Sequence, residues 1–361
     1  MDALNGIPVL GFVLQFLAYL VDAVFTTNLP AQTLQLATPI ALGALCGVMN
    51  ERSGIVNIGI EGMMLTSAFV GFMAAMVVHE AMPGAAAGPF GFTPALLVGV
   101  LAAIAAGMLV SLLHAWLSIS VRADQIISGT VINITALGLT GYLNRLISPG
   151  GSAGTLDQLQ PPQALIELPL VGWIVKMLFT SGPITTAVIF LVIFLQIMLF
   201  RSRWGLRTRA VGEHPRAADT VGIDVIRVRY RNVVLGGIFA GLAGAWLTLE
   251  FNASFQNGMT ANRGFIALAA VIFGRWTPIG AFGGALLFMV WEALGIAIRS
   301  NPPPGDLGVF LSGIQASYPS LYNNFFGALP YLLTLIVLAG VVGRSIPPAA
   351  VGRPYVKEGA S

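Results

Sequence analysis

Residues 201–231 read RSRWGLRTRAVGEHPRAADTVGIDVIRVRYR, and long apolar runs flank this stretch on both sides. We call it the basic segment, because it contains eight of the eighteen basic residues of the chain and only three acidic ones. Arginine-rich loops between apolar runs stay in the cytoplasm, so the segment predicts the orientation of everything around it. Its interior also favours a short helix. Pro215 suits a first helical turn, the alanines after Arg216 continue it, and Gly222 ends it.

The composition excludes an ordinary soluble domain. Charged residues make up 9% of the chain and hydrophobic residues 56%, whereas soluble domains carry roughly 25% charged residues. Lipid is therefore the expected solvent for most of the surface. A single cysteine, Cys46, rules out a disulfide framework and a cysteine-rich metal site. The net charge of +3 comes mainly from the basic segment, so it reflects membrane orientation and does not indicate nucleic-acid binding.

Ten apolar runs are candidate membrane spans, each of which needs about 20 mostly apolar residues. They are residues 7–26, 33–50, 56–78, 94–119, 125–147, 183–200, 232–250, 263–275, 278–299 and 326–343. The eighth run is too short to cross alone, and we expect a broken or re-entrant helix there. Residues 162–179 are interrupted by polar side chains and predict an interfacial helix on the outer face. The predicted fold class is therefore an all-α, polytopic membrane protein with about ten transmembrane helices.

The distribution of basic residues supports one orientation. With the basic segment inside and ten crossings, both termini are cytoplasmic, with fourteen basic residues inside and four outside. This is the asymmetry that the positive-inside rule expects. We predict a transmembrane permease domain over residues 1–345, extracytoplasmic segments at 149–182 and 300–325, and a cytoplasmic tail at 346–361.

Asn57 and Asn262 each begin an Asn-x-Gly triplet that leads into an apolar run. The predicted topology directs the first run outward and the second inward. Inverted repeats with broken helices are typical of transporters, so the pattern favours such a repeat. Because only two residues match, chance explains the pattern equally well.

The chain lacks the signatures of enzymatic chemistry. Neither of its two lysines follows glycine and precedes serine or threonine, so it has no Walker A loop for ATP. The ionisable residues within the spans are also too sparse for the paired relay of an ion-coupled carrier. No histidine, cysteine and carboxylate cluster has metal-binding spacing, and no nucleophile has an adjacent base. We therefore expect no catalytic residue, no cofactor and no metal.

Residues 49–65, MNERSGIVNIGIEGMML, combine polar side chains with closely spaced glycines. Such glycines permit a broken helix and a close approach of the backbone to a neighbour or ligand. Asn57 and Glu61 are four residues apart, so they share a face wherever this stretch is helical. Glu61 is either a hydrogen-bonded structural acid or part of a solute pathway, and its place near the start of the run favours the structural role.

Three blocks carry a family resemblance: ERSGIVNIGIEGMML from Glu51, RAVGEHPRAADTVGI from Arg209, and NRGFIALAAVIFGRWTPIGAFGGALLF from Asn262. They resemble the inner-membrane permease subunits of bacterial ABC importers. The superfamily includes branched-chain amino-acid, ribose and simple-sugar permeases, and the N-terminal block is most similar to the nucleoside (simple-sugar) branch. The similarity covers about residues 33–300. It implies a multi-pass protein of the bacterial plasma (inner) membrane.

The resemblance also implies partners. In such permeases a cytoplasmic loop contains a coupling helix that sits in a cleft of a cytosolic ABC ATPase. The matching positions here are Gly212, Glu213, His214, Pro215, Arg216, Ala217, Ala218 and Gly222. The other implied partners are a second permease subunit, typically a different chain in this branch, an extracytoplasmic substrate-binding protein that is often a lipoprotein, and the lipid bilayer. No nucleic acid is implied.

The expected function is thus the transmembrane subunit of an ATP-binding-cassette importer. It would translocate a small polar solute, a nucleoside first and a simple sugar second, delivered by a binding protein. The alternatives are an ion-coupled secondary transporter and a non-transporting membrane scaffold. A nucleoside needs hydrogen-bonding groups and an aromatic or apolar face. The candidate pathway residues that offer them are Asn57, Glu61, Asn133, Thr135, Trp246, Glu250, Phe251, Asn252 and Phe265.

Overall fold

A computed structural model of the protein describes residues 8–25, 29–88, 91–147, 151–168, 171–340 and 345–356. These residues are all-α, with fifteen α-helices and no strand among them. Seven of the helices, two of them extended by a π turn, are long and apolar enough to cross a membrane. The chain is therefore a multi-pass membrane protein.

A helix lies at each of the ten predicted runs. Those helices are α1 (Pro8–Phe25), α2 (Leu29–Glu51), α3 (Ile60–Ala81), α4 (Pro94–Ala115), α5 (Gln125–Ile147), α8 (Pro183–Arg201), α11 (Val225–Ala245), α12 (Arg263–Phe273), α13 (Pro278–Ser300) and α15 (Pro319–Gly340). The remaining five helices are α6 (Gln163–Ile166), α7 (Val171–Phe179), α9 (Arg203–Glu213), α10 (Pro215–Thr220) and α14 (Asp306–Ser317).

Three stretches differ from the sequence-based prediction. The single interfacial helix predicted for residues 162–179 is two short helices, α6 and α7. The last helix begins at Pro319, seven residues before the predicted run, because proline suits the first helical position. Together with α14, this makes most of the stretch 300–325 helical. The basic segment is also mostly helical, since α9 and α10 precede the first residues of α11.

The chain divides into two compact units. Unit 1 comprises Met1–Ala37, Gln160–Ser181 and Leu286–Gly343. In this unit the N–H of Leu307 donates to the Gln15 side chain at 3.0 Å, which joins α14 to α1. The indole N–H of Trp173 on α7 donates to the carbonyl of Val24 at 3.0 Å.

Unit 2 comprises Thr38–Leu159, Gly182–Ala285 and Arg344–Ser361. Its centre is formed by α3, α4 and α11, which approach closely because small residues line their contacts. A Cβ atom on Gly71 of α3 would lie 2.9 Å from the Cβ of Ala103 on α4. Packing through small residues is the usual way in which helices associate in lipid, where burial of apolar surface gives no drive.

Two helices of unit 2 share an unusual ending. α4 continues into a π turn at Trp116–Ser120, and α11 continues into one at Trp246–Phe251. A π turn frees backbone groups from the regular helical ladder. In the second turn, the carbonyl of Leu249 accepts a hydrogen bond from the N–H of Leu156 at 2.7 Å. The turn thereby anchors the segment that precedes α6.

The eleven residues of α12 span about 16 Å, which is too short to cross a bilayer alone. This agrees with the prediction that the eighth run is too short to cross alone. Both flanking turns contain consecutive non-glycine residues in the left-handed region. They are Ala261 and Asn262 (φ 47° and 65°), and Arg275 and Trp276 (φ 52° and 54°). Each such residue costs about 1–3 kcal/mol, so surrounding contacts must hold these turns in place.

Candidate functional site

Two helices of the basic segment, α9 and α10, meet at His214. Ser202 caps α9 by accepting a hydrogen bond from the N–H of Gly205 at 3.1 Å. Pro215 is the first residue of α10, and Gly222 takes a positive φ of 82° in the turn that follows. The short helix predicted between proline and glycine is therefore present.

α10 has one buried side and one exposed side. Ala218 is buried in a small apolar cluster with three valines of α9 and α11. The opposite side is open. The exposed residues on it are His214, Arg216, Ala217, Thr220 and Val221. We call these five residues the outward surface of α10. It presents small and apolar groups next to basic ones.

Gly212 is buried in unit 2, and Glu213 beside it is partly exposed. A Cβ atom on Gly212 would lie 2.1 Å from the carbonyl oxygen of Arg52, so only glycine lets α9 pack at this point. The Glu213 carboxylate lies 4.0 Å from Nη1 of Arg52 and accepts a hydrogen bond from the N–H of Ala349 at 3.0 Å. The residues matched to a coupling helix thus divide into some that hold α9 and α10 in place and others that face outward.

Residues 345–356 form an irregular segment, which we call the C-terminal strap. The N–H of Ala350 donates to the carbonyl of Gly212 at 2.9 Å, and that of Gly352 donates to the carbonyl of Gly54 at 3.2 Å. At the start of the strap, the Ser345 hydroxyl donates to the carbonyl of Ile272 at 2.9 Å. The strap therefore joins the end of α9, the residues after α2 and the last turn of α12.

Arg52 joins α9 to the turn after α12. Its Nε donates to the carbonyl of Trp276 at 2.7 Å, and its Nη2 donates to that of Arg275 at 3.2 Å. Burial lowers the pKa of the Arg52 guanidinium, and the nearby Glu213 carboxylate opposes this shift. Sequence reasoning missed this role, because no local pattern relates residue 52 to residues more than two hundred positions away.

An open cavity of about 270 Å³ lies beside the N-terminal ends of α3 and α12. This volume is just below the range of about 300–1,000 Å³ that is usual for small-molecule pockets. Its polar lining residues are Glu61, Thr260, Asn133 and Asn262, and its large apolar ones are Leu65, Ile134, Leu137 and Phe265. Three predicted pathway residues, Glu61, Asn133 and Phe265, are therefore brought together here.

Glu61 and Asn133 also hold the cavity wall. The Glu61 carboxylate accepts hydrogen bonds from the backbone N–H groups of Asn262 at 2.9 Å and Gly264 at 2.6 Å. These donors belong to the start of α12, where helical N–H groups have no partner within the helix and a negative charge is favourable. Asn133 of α5 accepts from the N–H of Gly62 at 2.7 Å and donates to the carbonyl of Ile58 at 2.9 Å.

Two other predicted pathway residues lie elsewhere. Asn57 is fully buried, with its amide nitrogen 3.4 Å from the sulfur of Met63, so it lies behind the cavity wall. Thr135 is on the exposed side of α5 and is not among the lining residues.

The last four predicted residues form a separate group in the π turn of α11 and just after it. Glu250 accepts hydrogen bonds from the N–H groups of Ile184 at 2.6 Å and Thr185 at 3.0 Å, and from the Thr185 hydroxyl at 2.5 Å. It caps the start of α8. Trp246 donates to the same hydroxyl at 2.9 Å and stacks on Phe251, with ring centroids 4.7 Å apart. The fourth residue, an asparagine at position 252, is exposed.

Asn262 and its neighbours Thr260 and Ala261 are among the lining residues that sequence reasoning did not assign to the pathway. The signal was present, because Asn262 begins the second Asn-x-Gly triplet. The structure explains the glycine of that triplet, because a Cβ atom on Gly264 would lie 2.5 Å from the backbone nitrogen of Glu61. In the described residues, no three histidine, cysteine or acidic side chains are arranged to hold a metal ion.

Comparison with known proteins identifies the family. Residues 29–343 match the family model described as branched-chain amino acid transport system / permease component. The guanosine ABC transporter permease protein NupQ of Bacillus subtilis is 39% identical over 332 residues, which cover 90% of this chain and 95% of NupQ.

Two further relatives carry related names. The nucleoside ABC transporter permease protein NupC of Lactococcus lactis subsp. cremoris is 36% identical over 91% of this chain and 96% of its own length. The guanosine ABC transporter permease protein NupP of Bacillus subtilis is 28% identical over 80% of this chain and 81% of its own. No solved structure gives a significant match. The chain belongs to the branched-chain amino acid transport system permease family, and it is a membrane-embedded transport permease.

Proposed function

We propose that the chain is the transmembrane subunit of an ATP-driven importer that moves a nucleoside across the bacterial inner membrane. The observation that carries this proposal is the similarity, over nine-tenths of the chain, to permeases named for guanosine and nucleoside transport. A simple sugar is the second candidate substrate, because the N-terminal block resembles a branch that includes sugar permeases.

The proposed topology has ten crossings, with the basic segment and both termini in the cytoplasm. Residues 1–345 are the permease domain, 149–182 and 300–325 are extracytoplasmic, and 346–361 are the cytoplasmic tail. We also propose an inverted repeat that relates α4 to α11. Both helices reach 27 residues with their π turns, and both contain Ala-Trp-Leu where the π turn begins. The number of residues between Asn57 and Asn262 differs from the number between the two Ala-Trp-Leu triplets. The Asn-x-Gly triplets are therefore not equivalent positions of this repeat.

The outward surface of α10 is the proposed docking site for the ATPase. Its small residues allow close approach of a partner. α9 and α10 are fixed to the rest of unit 2 through Gly212 and Glu213. A docking element that is held firmly can transmit force. This supports a coupling role for positions Gly212 to Gly222, with the ATPase subunit supplying the ATP hydrolysis.

The cavity beside α12 is the proposed solute site. Asn133 and Asn262 offer amide groups, and Phe265 offers an aromatic face that is 42% exposed. Such a combination suits the hydrogen-bonding edges and the ring of a nucleoside. The cavity opens beside α5, which is mostly exposed, whereas α2 is mostly buried. We propose that a second, different permease chain covers this face.

Two relatives from one organism, both named as guanosine permeases, support the pairing of different chains. A substrate-binding protein is proposed to deliver the solute at the extracytoplasmic segments. Two carboxylates of the predicted spans argue against ion coupling. Glu61 and Glu250 are each occupied by backbone N–H donors and are not arranged as a relay.

The test is uptake by the assembled transporter in liposomes, with its ATPase, second permease and binding protein present. We expect guanosine uptake that requires ATP, stops with vanadate and is insensitive to ionophores. Uptake that needs no ATP but collapses with an ionophore would favour a secondary transporter. Assembly without uptake of any nucleoside or sugar would favour the scaffold.

Cysteine labelling tests the orientation after Cys46 is replaced. Thr220→Cys on α10 should react with an impermeant maleimide only after permeabilisation, and Ser152→Cys should react in intact cells. Both positions are exposed. Reaction of position 220 in intact cells contradicts the topology and the docking site together.

A further inference from the structure

Residues 51–61, which we call the connector, link α2 to α3 and hold both ends of α12. At one end, Glu61 binds the backbone at the start of α12. At the other end, Glu51 accepts a hydrogen bond from the indole N–H of Trp276, and Arg52 donates to the backbone carbonyls of that turn. A helix of eleven residues is therefore bound at both ends by a stretch of equal length.

The hydrogen-bonded turns are the strained ones. Each turn beside α12 has two consecutive non-glycine residues with positive φ, at a cost of about 1–3 kcal/mol per residue. The bonds from the connector compensate that cost only while the two segments stay together. A movement of the connector must therefore move α12 as well, because separation would leave buried polar groups unpaired and the turns unsupported.

The connector is also tied to α9, at two places. The backbone of Arg52 packs directly against Gly212, and its guanidinium faces the Glu213 carboxylate at 4.0 Å. The C-terminal strap adds the second tie, because it bonds to the carbonyls of both Gly212 and Gly54. The side chain of Arg52 is thus the point where α9, the connector and the turn after α12 meet.

We propose that Arg52 is a positioning residue that transmits the movement of α9 and α10, through the connector and α12, to the solute cavity. This inference rests on the proposed function, in which α10 docks on the ATPase. When the nucleotide state of the ATPase shifts α10, the connector and α12 follow. The cavity wall formed by Glu61, Asn262 and Phe265 then moves relative to α5, so access to the cavity changes with each cycle.

Arginine suits this position better than lysine. Its planar group presents several N–H donors in a fixed arrangement, so it can bind two carbonyls and face a carboxylate at the same time. Lysine keeps the charge but lacks this geometry. Arg52→Lys therefore tests the linkage without leaving Glu213 opposite a neutral side chain.

The readout is the accessibility of α12 at the cavity. We would replace Cys46 with alanine, introduce Phe265→Cys and measure maleimide labelling of the assembled transporter in nanodiscs, with and without ATP and vanadate. In this parent, trapping the transporter with ATP and vanadate should change the labelling rate at least about 5-fold, the lower end of typical allosteric coupling. Arg52→Lys should abolish most of that change.

Arg209→Lys is the matched control. Arg209 stacks over the same Phe200 ring as Arg52, at 5.1 Å and 5.5 Å respectively, but its described contacts do not include α12. The control should keep the parental change in labelling. A second variant, Glu213→Gln, removes the charge opposite Arg52 and keeps an acceptor for Ala349, so it should reduce the change partially.

The outcomes separate the two proposals. Uptake is measured in the Cys46→Ala protein that keeps Phe265, and its failure to take up solute with ATP contradicts the proposed function. If that protein takes up solute but the labelled parent shows no nucleotide-dependent change in labelling, the linkage alone is overturned, as it is by an Arg52→Lys variant with the full change. If Arg52→Lys does not assemble, Glu213→Gln decides: an undiminished change in that variant also overturns the linkage.

Discussion

Gly107 and Gly237 pack against each other reciprocally at the crossing of α4 and α11. A Cβ atom on Gly107 would lie 2.4 Å from the carbonyl oxygen of Gly237, and one on Gly237 would lie 2.6 Å from that of Gly107. Each glycine also precedes its Ala-Trp-Leu triplet by the same eight residues. The two helices are antiparallel at the crossing, since Gly241 contacts Ile104 whereas the earlier Gly237 contacts the later Ser111. The crossing is therefore symmetric within the proposed repeat.

Side chains at this crossing should destabilise the protein strongly. We expect Gly107→Val to lower stability by about 3 kcal/mol or more, the upper end of typical overpacking costs, because the opposing atoms are backbone and cannot rotate away. Thermal unfolding of the purified protein in detergent measures the effect. Gly138→Val on α5 is the control, because nothing lies within 4 Å of a Cβ there. Equal melting temperatures for the two variants would contradict the packing.

Two positions of the basic segment should respond differently to aspartate. Ala217 is exposed on α10, so Ala217→Asp should leave membrane abundance normal and reduce substrate-stimulated ATPase activity about 10-fold or more, as when a desolvated interface acquires an unpaired charge. Gly212→Asp should instead lower abundance, because its side chain collides with the Arg52 backbone. Ala217→Ser is the conservative control. Normal ATPase stimulation in Ala217→Asp would rule out α10 as the docking element.

Glu61→Gln should reduce stability more than transport. The carboxylate accepts hydrogen bonds from two backbone N–H groups, and an amide side chain can satisfy only one of them through its oxygen while its NH₂ opposes the other. We expect a loss of about 1 kcal/mol, the usual net contribution of one hydrogen bond, measured as a lower melting temperature of the complex. Unchanged stability with strongly reduced uptake per folded molecule would show that Glu61 acts on the solute directly.

Glu250→Ala should unravel the start of α8. The substitution removes three hydrogen bonds from residues 184 and 185, and loss of a helix cap alone costs about 0.5–2 kcal/mol. Thermal unfolding and limited proteolysis near residue 182 should both report the change. Glu80→Ala, at an exposed carboxylate, serves as control. A melting temperature equal to that of the control argues against capping.

Phe265→Ala should weaken solute handling with little effect on folding. The ring lines the cavity and is partly exposed, so its removal creates no closed void. We expect the solute concentration for half-maximal uptake to rise about 5- to 10-fold, as for the loss of one stacking contact worth about 1–1.5 kcal/mol. Phe265→Tyr should keep most of the affinity. An unchanged half-maximal concentration in the alanine variant would place the solute elsewhere.

The spans could be predicted because lipid imposes one simple requirement, a long apolar run with its backbone groups satisfied internally. Proline made the first residue of several helices predictable. The runs predicted to begin at residues 94, 183 and 278 begin at Pro94, Pro183 and Pro278 in the structure, since proline is tolerated at the first helical turn. α9 was missed because a short amphipathic helix on a polar surface has no such run.

The functional residues were only partly predictable, for a different reason. An acidic side chain in an apolar sequence needs contacts that offset the cost of placing its charge there. The sequence does not show whether a helix N-terminus or a solute pathway provides those contacts. Glu61 lies at the N-terminus of α12 and lines the proposed solute site, whereas Glu250 caps α8 away from the cavity. The links made by Arg52 and by the C-terminal strap were not predictable either, because they join residues far apart in the chain without any shared local pattern.

The C-terminal strap imposes an order on biogenesis. Its residues are the last described part of the chain to leave the ribosome, yet they bond to Gly54 and Gly212, which are made much earlier. Until translation has passed the strap, α9 lacks these partners, and the surface beside it is unfinished. A nascent chain therefore has an α9 without its partners in the strap, and a chain shortened before Ser345 never gains them. In the proposed function, docking of the ATPase on α10 therefore requires that the strap has been synthesised.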